Sequence, residues 1–206
     1  MSRSDRRSHW EQVYSGRAPD EVSWHQERPE SSLRLIDGIG LGSDAAIIDV
    51  GGGASRLVDH LVGLGFRHVS VLDIAQAALD EARARLGARA GGVHWICGDV
   101  TTEDVGGPYD LWHDRAVFHF LTDPEDRRRY REQLERALPA GGHLIVAAFA
   151  LDGPEKCSGL PVARYSPETM AAELGAAFER VDDFHEDHVT PAGGTQRFLF
   201  CHFRRR

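Results

Sequence analysis

The sequence predicts an α/β fold, a three-layer sandwich in which helices cover both faces of a mostly parallel, doubly wound sheet; three observations carry this. From Ala45 onward, apolar runs of strand length alternate with stretches of helical periodicity. The first run, Ala46–Val50, enters the turn Gly51-Gly52-Gly53 and then a helix. Acidic residues follow the ends of successive strands, where an open sheet of this kind holds its ligand.

The elements follow in order. Residues 1–42 are polar, hold Trp10, Tyr14, Trp24 and His25, and are broken by Pro19 and Pro29; they read as a helical lid whose second half, around Ser31–Ile36, is a helix. Residues 43–206 form the core of the same single domain, 1–206. Ala46–Val50 is continuously apolar apart from Asp49, as a strand covered on both faces should be. Leu57, Val58, Leu61, Val62 and Leu64 recur at helical spacing, and Gly65 closes that helix. His68–Leu72 is a second strand, Ala75–Leu86 a helix, Val93–Cys97 a third strand and Asp110–Trp112 the end of a short fourth. Asp123-Pro124 is an N-cap and first-turn proline opening a helix to about Leu138, with Glu132 and Arg136 spaced as a supporting pair. Leu144–Phe149 is a fifth strand, and Ser166-Pro167 starts a helix through about Ala177. The last two strands, Glu179–Phe184 and Gln196–Phe203, have no helix between them and pair most easily antiparallel.

Lys and Arg number 24 against 32 Asp and Glu, a formal charge of −8, so the surface repels phosphate backbones and nucleic acid is not expected as a partner. The clusters Arg127–Arg129 and Arg204–Arg206 are short and read as solvated faces. Cys97, Cys157 and Cys201 lack metal-ligand spacing and cannot all pair, which points to no metal and to a reducing cytoplasm. No secretory h-region and no membrane-length apolar run occurs, so no membrane partner is expected.

Gly51 and Gly53 allow dihedrals forbidden to other residues and let a ligand lie against the backbone. Asp73 closes the second strand where a carboxylate accepts bonds from both hydroxyls of a ribose, and Asp99 follows the third, within reach of an adenine amino group. Together they describe an adenosine pocket. A nicotinamide dinucleotide would use the same turn, but Arg56 stands where its fingerprint needs a third glycine, and no Lys lies near the turn. A cofactor without phosphates fits better.

These residues resemble the class I S-adenosylmethionine-dependent methyltransferases. Asp49-Val50-Gly51-Gly52-Gly53 is similar to their first motif, Val71-Leu72-Asp73-Ile74 to the second, Gly98-Asp99-Val100 to the third, Tyr109-Asp110-Leu111-Trp112 to the fourth, and Leu138-Pro139-Ala140-Gly141-Gly142 to the entry of the fifth strand. The resemblance spans about Ala45 to Phe203 and implies a seven-stranded sheet of order 3-2-1-4-5-7-6 with the last strand reversed. It further implies S-adenosyl-L-methionine as cofactor and S-adenosyl-L-homocysteine as product. By that likeness Gly51 and Gly53 face the methionine moiety with Asp49 near its amino group, Asp73 holds the ribose, Ile74 packs on adenine, and Asp99 with the Val100 amide reads its edge. The sulfonium falls near His113 and Asp114.

On the acceptor side, His113-Asp114-Arg115 is the candidate catalytic stretch, similar to short stretches of thiopurine and some lysine methyltransferases. Asp114 is placed to orient an amine, and Arg115 to clamp an anionic substrate or the cofactor carboxylate; a local Asp114–Arg115 network is the plain alternative. His119 lies on an apolar helical stretch. Cys157 lies in the long loop after the fifth strand, where Lys156 is expected to lower its pKa. The leader resembles those of thiopurine, tellurite-resistance and lysine-modifying methyltransferases, which favours Trp24 and His25 as lid residues over the substrate. The expected activity is methyl transfer to a small molecule. A protein lysine methyltransferase acting on a basic peptide, a non-catalytic cofactor binder and a nicotinamide oxidoreductase are the alternatives.

Overall fold

The computed structural model describes residues 3–16 and 20–206, without the side chains of residues 3 and 4; the expected break at Pro19 lies outside the described residues. The strands are β1 Ala46–Val50, β2 His68–Asp73, β3 Val93–Cys97, β4 Leu111–Arg115, β5 His143–Phe149, the short β6 Lys156–Cys157 and β7 Leu160–Pro161, then β8 Phe178–Val189 and β9 Thr195–Arg205. The helices are α1 Arg3–Gly16, α2 Glu30–Ile39, α3 Leu57–Gly63, α4 Gln76–Leu86, α5 Pro124–Ala137 and α6 Pro167–Leu174.

Seven strands form one sheet in the order β3-β2-β1-β4-β5-β9-β8. β1 pairs in parallel with both β2 and β4, so the chain reverses its direction of winding there, and the crevice for a ligand opens above those strand ends. β9 runs antiparallel to β5 and also to β8, the second as expected from the helix-free ending. Neighbouring side chains along each strand point to opposite faces and build two cores. Ile48, Val50, Trp112 and Val146 pack with Tyr130 and Leu134 of α5 and Met170 of α6. Ile47, Leu111, Ile145 and Phe200 pack with Leu33 and Ile36 of α2, Leu57 and Leu61 of α3, and Leu79 of α4.

The expected caps form at α5, where Asp123 accepts from the Glu125 amide at 2.8 Å, and at α6, where Ser166 and Thr169 make a reciprocal capping box. Four details differ from the expectations. Helix α6 stops at Leu174, because Gly175 takes φ +82 and releases the chain towards β8. Glu132 pairs with Arg128, which also reaches Glu125, and not with Arg136. The terminal strands run beyond their apolar stretches, since alternating charged residues still pair along a ladder. Strand β4 continues through Arg115, three residues past Trp112, and this governs the site.

Helix α4 has no cap of its own, since Ala75 has no polar side chain. Glu11 of α1 supplies it, accepting from the amides of Gln76 at 2.7 Å and Ala77 at 3.2 Å. Arg6 of α1 lies 3.2 Å from Asp99 and 3.1 Å from Asp126, and Arg7 donates to the Cys97 sulfur. These contacts fix α1 across the ends of β2 and β3. Among the described residues no helix is long and apolar enough to cross a membrane.

Candidate active site

The glycine turn is tied to β2 by its backbone: the amides of Gly51 and Gly52 donate to the Leu72 carbonyl at 2.7 and 3.2 Å. Gly51 takes φ +69, and a Cβ there would stand 2.0 Å from Cγ2 of Val117, so only glycine fits without moving the loop after β4. Above this turn lies a crevice of about 750 Å³, open to solvent. Gly51, Leu72, Asp73, Ile74, Asp99 and Val100 line it from the strand ends. Trp10 and Tyr14 of α1, with Trp24 and Phe120, roof it.

Each acid at this end of the sheet is held differently. Asp73 accepts from the Ala75 amide at 2.8 Å, and burial, helped by Asp49 and Glu11, pushes its carboxyl up to about 7. Its Oδ2 lies beside Gly53, 2.5 Å from where a Cβ would stand. Asp49 lies 2.7 Å through Oδ1 from Nδ1 of His113, whose Nε2 is 2.8 Å from the Ser32 hydroxyl; the Asp49 Oδ2 is buried without a partner. Asp99 accepts through Oδ1 from the amide and hydroxyl of Thr101 at 2.9 and 2.7 Å, while its other oxygen faces Arg6. The structure thus brings Asp49, Gly51, Gly53, Asp73, Ile74, Asp99 and Val100 to one end of the sheet.

The acceptor side departs from the expectation that His113, Asp114 and Arg115 follow the fourth strand and act together. All three lie within β4, so the pleat sends them alternately to opposite faces. His113 and Arg115 point towards α2 and the crevice, whereas Asp114 points into the core under α5. There Asp114 is fully buried and accepts from the amides of Val117 at 2.9 Å and Phe118 at 3.1 Å and from the Tyr130 hydroxyl at 2.7 Å. Tyr130 in turn accepts from Trp112 Nε1 at 3.0 Å. Burial pushes the Asp114 carboxyl up to about 6, with these hydrogen bonds opposing. Asp114 does not line the crevice and makes no pair with Arg115; it anchors the turn after β4.

His119 also lies off the crevice. It sits on the 3-10 turn Phe118–Phe120, fully buried against the rings of Phe120 and Phe149 at 4.5 and 4.7 Å, with neither ring nitrogen hydrogen-bonded. Burial, with Arg115 nearby, lowers its pKa to about 3, so the ring is neutral at physiological pH. Cys157 does line the crevice, but burial pushes its thiol up to about 11 and Lys156 is exposed beside it, so the expected activation by Lys156 is absent. Trp24 lines the crevice, and His25 lines an adjoining recess with Asp49 and His113. Arg115 lines both.

Sequence reasoning missed Arg6, Val117 and Phe120 as lining residues. A signal for one of them existed: Arg6 recurs with the lid residues Trp10 and Tyr14 every four residues, one face of α1. Burial, then the nearby Asp73 charge, raises the Tyr14 phenol well above its usual range, so it stays a hydroxyl.

Comparison with known proteins agrees with this geometry. Residues 47–142 match a family described as a methyltransferase domain. No curated protein matches the chain in sequence. Among solved structures, a protein from work on the conversion of a disulfide bond into a thioacetal group during echinomycin biosynthesis superposes with TM-score 0.77 at 20% identity, covering 97% of this chain and 93% of that one. A SAM-dependent methyltransferase from Anabaena variabilis gives 0.75 at 14% identity, with 97% and 95% covered. The Burkholderia thailandensis 1,6-didemethyltoxoflavin-N1-methyltransferase, solved with 1,6-didemethyltoxoflavin and S-adenosylhomocysteine, gives 0.74 at 22% identity, with 98% and 86% covered. Residues 47–142 are therefore similar to a methyltransferase domain, and the chain has the class I, Rossmann-like methyltransferase fold.

Proposed function

We propose that this protein is an S-adenosyl-L-methionine-dependent methyltransferase that methylates a small-molecule nucleophile and releases S-adenosyl-L-homocysteine. The observation that carries the reading is the convergence of a side-chain-intolerant glycine turn and the acids Asp73 and Asp99 on one crevice at the point where the sheet reverses its winding. The residues fit the cofactor. Gly51 lines the crevice with backbone alone, Asp49 keeps an unpartnered buried oxygen for an ammonium, and Asp73 holds its carboxylate beside the turn.

In this reading Gly51, Gly53 and Asp49 hold the methionine moiety, Asp73 the ribose hydroxyls, Ile74 the adenine face, and Asp99 with the Val100 amide the adenine edge. When bound, the cofactor supplies a methyl group on a sulfonium whose leaving group needs no protonation. The chain's work is then positioning and exclusion of water. The roof of Trp10, Tyr14 and Trp24 dries the crevice, and residues 1–42 act as a lid on one domain comprising 1–206. His113, held between Asp49 and Ser32, positions the Asp49 carboxylate. Neither Asp114 nor His119 is assigned proton removal, since both face away from the crevice. The bound 1,6-didemethyltoxoflavin of the Burkholderia relative supports a small acceptor.

Calorimetry with S-adenosylhomocysteine and with NAD tests the donor, and labelled methyl transfer to a panel of thiols, phenols and amines tests the reaction. The reading expects binding of the first ligand and not the second. Binding of NAD alone would overturn it.

A further inference from the structure

Arg115, with 11% of its side chain exposed, has its hydrogen bonding incomplete. Nη1 donates to the Trp24 carbonyl at 3.0 Å, but Nε and Nη2 are buried and have no hydrogen-bond partner. Glu186 lies 4.0 Å from Nη2, beyond hydrogen-bond reach, and its Oε1 already accepts from Gln26. Beneath the guanidinium lies the ring of Phe198, 4.6 Å from Cζ, which leaves its edge as the side for a further partner. A guanidinium withdrawn from water with two nitrogens unmet is costly, and a carboxylate matches its planar fork.

The rest of the surroundings are aromatic. Arg115 shares the crevice with Trp10, Trp24 and Phe120, and the Trp10 ring meets those of Trp24 and Phe120 edge-on at 5.8 and 5.0 Å. Such walls suit a flat ring. We propose that Arg115 receives a carboxylate on the methyl acceptor, and that the acceptor is a small aromatic acid; this rests on the methyltransferase reading above. A cationic acceptor such as a lysine amine would meet the guanidinium charge and be disfavoured.

The donor's methionine end carries a carboxylate too. Arg115 also lines the recess of Asp49 and Gly51, but the groups that touch its guanidinium lie on the other side, which favours the acceptor. Its neighbours are Trp24, Glu186 of β8 and Phe198 of β9, and these strands lie on the other side of β4 from β1, β2 and β3, which carry or lead into Gly51, Asp73 and Asp99.

The test measures binding to the S-adenosylhomocysteine-loaded protein of hydroxy-, mercapto- and aminobenzoates against their neutral carboxamides. The wild type should favour at least one acid over its amide by about tenfold or more. Arg115→Gln should erase that preference, and Arg115→Lys should retain part of it. Affinity for S-adenosylhomocysteine and for 5′-methylthioadenosine, which lacks the amino-acid end, should stay unchanged in both variants. Equal binding of acids and amides, or no acid binding at all, overturns the proposal. So does a variant that loses S-adenosylhomocysteine while keeping methylthioadenosine, since Arg115 then serves the donor. If Arg115→Gln fails to fold by circular dichroism, Arg115→Lys and the acid–amide preference of the wild type carry the comparison. Failure of the wild type to bind S-adenosylhomocysteine is a separate result and would instead remove the donor reading.

Discussion

Replacing Asp114 tests whether the residue builds the turn after β4 or takes part in methyl transfer. In Asp114→Ala three buried donors, the amides of Val117 and Phe118 and the Tyr130 hydroxyl, lose their acceptor at once. At about 1–2 kcal/mol for each unmet donor, the loss sums to about 3–6 kcal/mol, a large part of the ~5–15 kcal/mol that holds a domain folded. Asparagine keeps one accepting oxygen in place of two, so Asp114→Asn should lose about half as much. The assay is urea unfolding followed by tryptophan emission, with a lower midpoint at unchanged slope as the expected outcome. The pH dependence has a definite sign. Burial holds the folded carboxyl at about 6 against its ordinary 3.8, so the folded state binds the extra proton between those values. The stability this group contributes is fully present below about pH 4 and is lost as pH rises through about 6. Asparagine cannot titrate, so the deficit of Asp114→Asn should be widest near pH 4 and shrink by pH 7. An alanine variant that unfolds like the wild type yet no longer transfers a methyl group would refute this reasoning and return Asp114 to the chemistry.

Gly51→Ala places a Cβ 2.0 Å from Val117 Cγ2 at a φ of +69, so S-adenosylhomocysteine affinity should fall at a backbone strain of about 1–2 kcal/mol. Adding Val117→Ala should restore part of it, and strict additivity in calorimetry would argue against the contact. Because burial holds Asp73 at about 7 and only its ionised form accepts from both ribose hydroxyls, affinity should rise from pH 6 to 8. Asp73→Asn should flatten that profile; an unchanged profile would mean another group titrates. Glu11→Ala uncaps α4 and should cost about 1 kcal/mol, seen as a drop of roughly 2–4 °C in Tm. An unaltered melting curve would show that α1 is not held there.

The glycine turn and the acids at the strand ends were legible because their rules are local. A strand ending in a glycine turn, and an acid closing the next strand, occupy a few consecutive residues whose geometry follows from the pleat and from Cβ sterics. The end of β4 was not legible in the same way. Strand β4 ends in His113-Asp114-Arg115, three polar residues that carry no apolar signature of a strand, and they remain in it because each finds a partner remote in sequence: Asp49 and Ser32 for His113, Tyr130 for Asp114, Trp24 for Arg115. Cys157 misled for a similar reason. The adjacent Lys156 is its neighbour in sequence, but burial decides its pKa.

By itself, then, the sequence determined the alternation of strands and helices, the reversed ending, and the glycine turn and acids at one end of the sheet, because short-range periodicity and glycine stereochemistry act within one or two elements. Tertiary structure alone decided the division of labour within β4 and the polar contacts that hold α1 across the site. It also decided the isolation of Arg115. Burial and hydrogen bonding between segments up to 173 residues apart, as between Ser23 and Gln196, depend on how the layers close and not on any local run of residues.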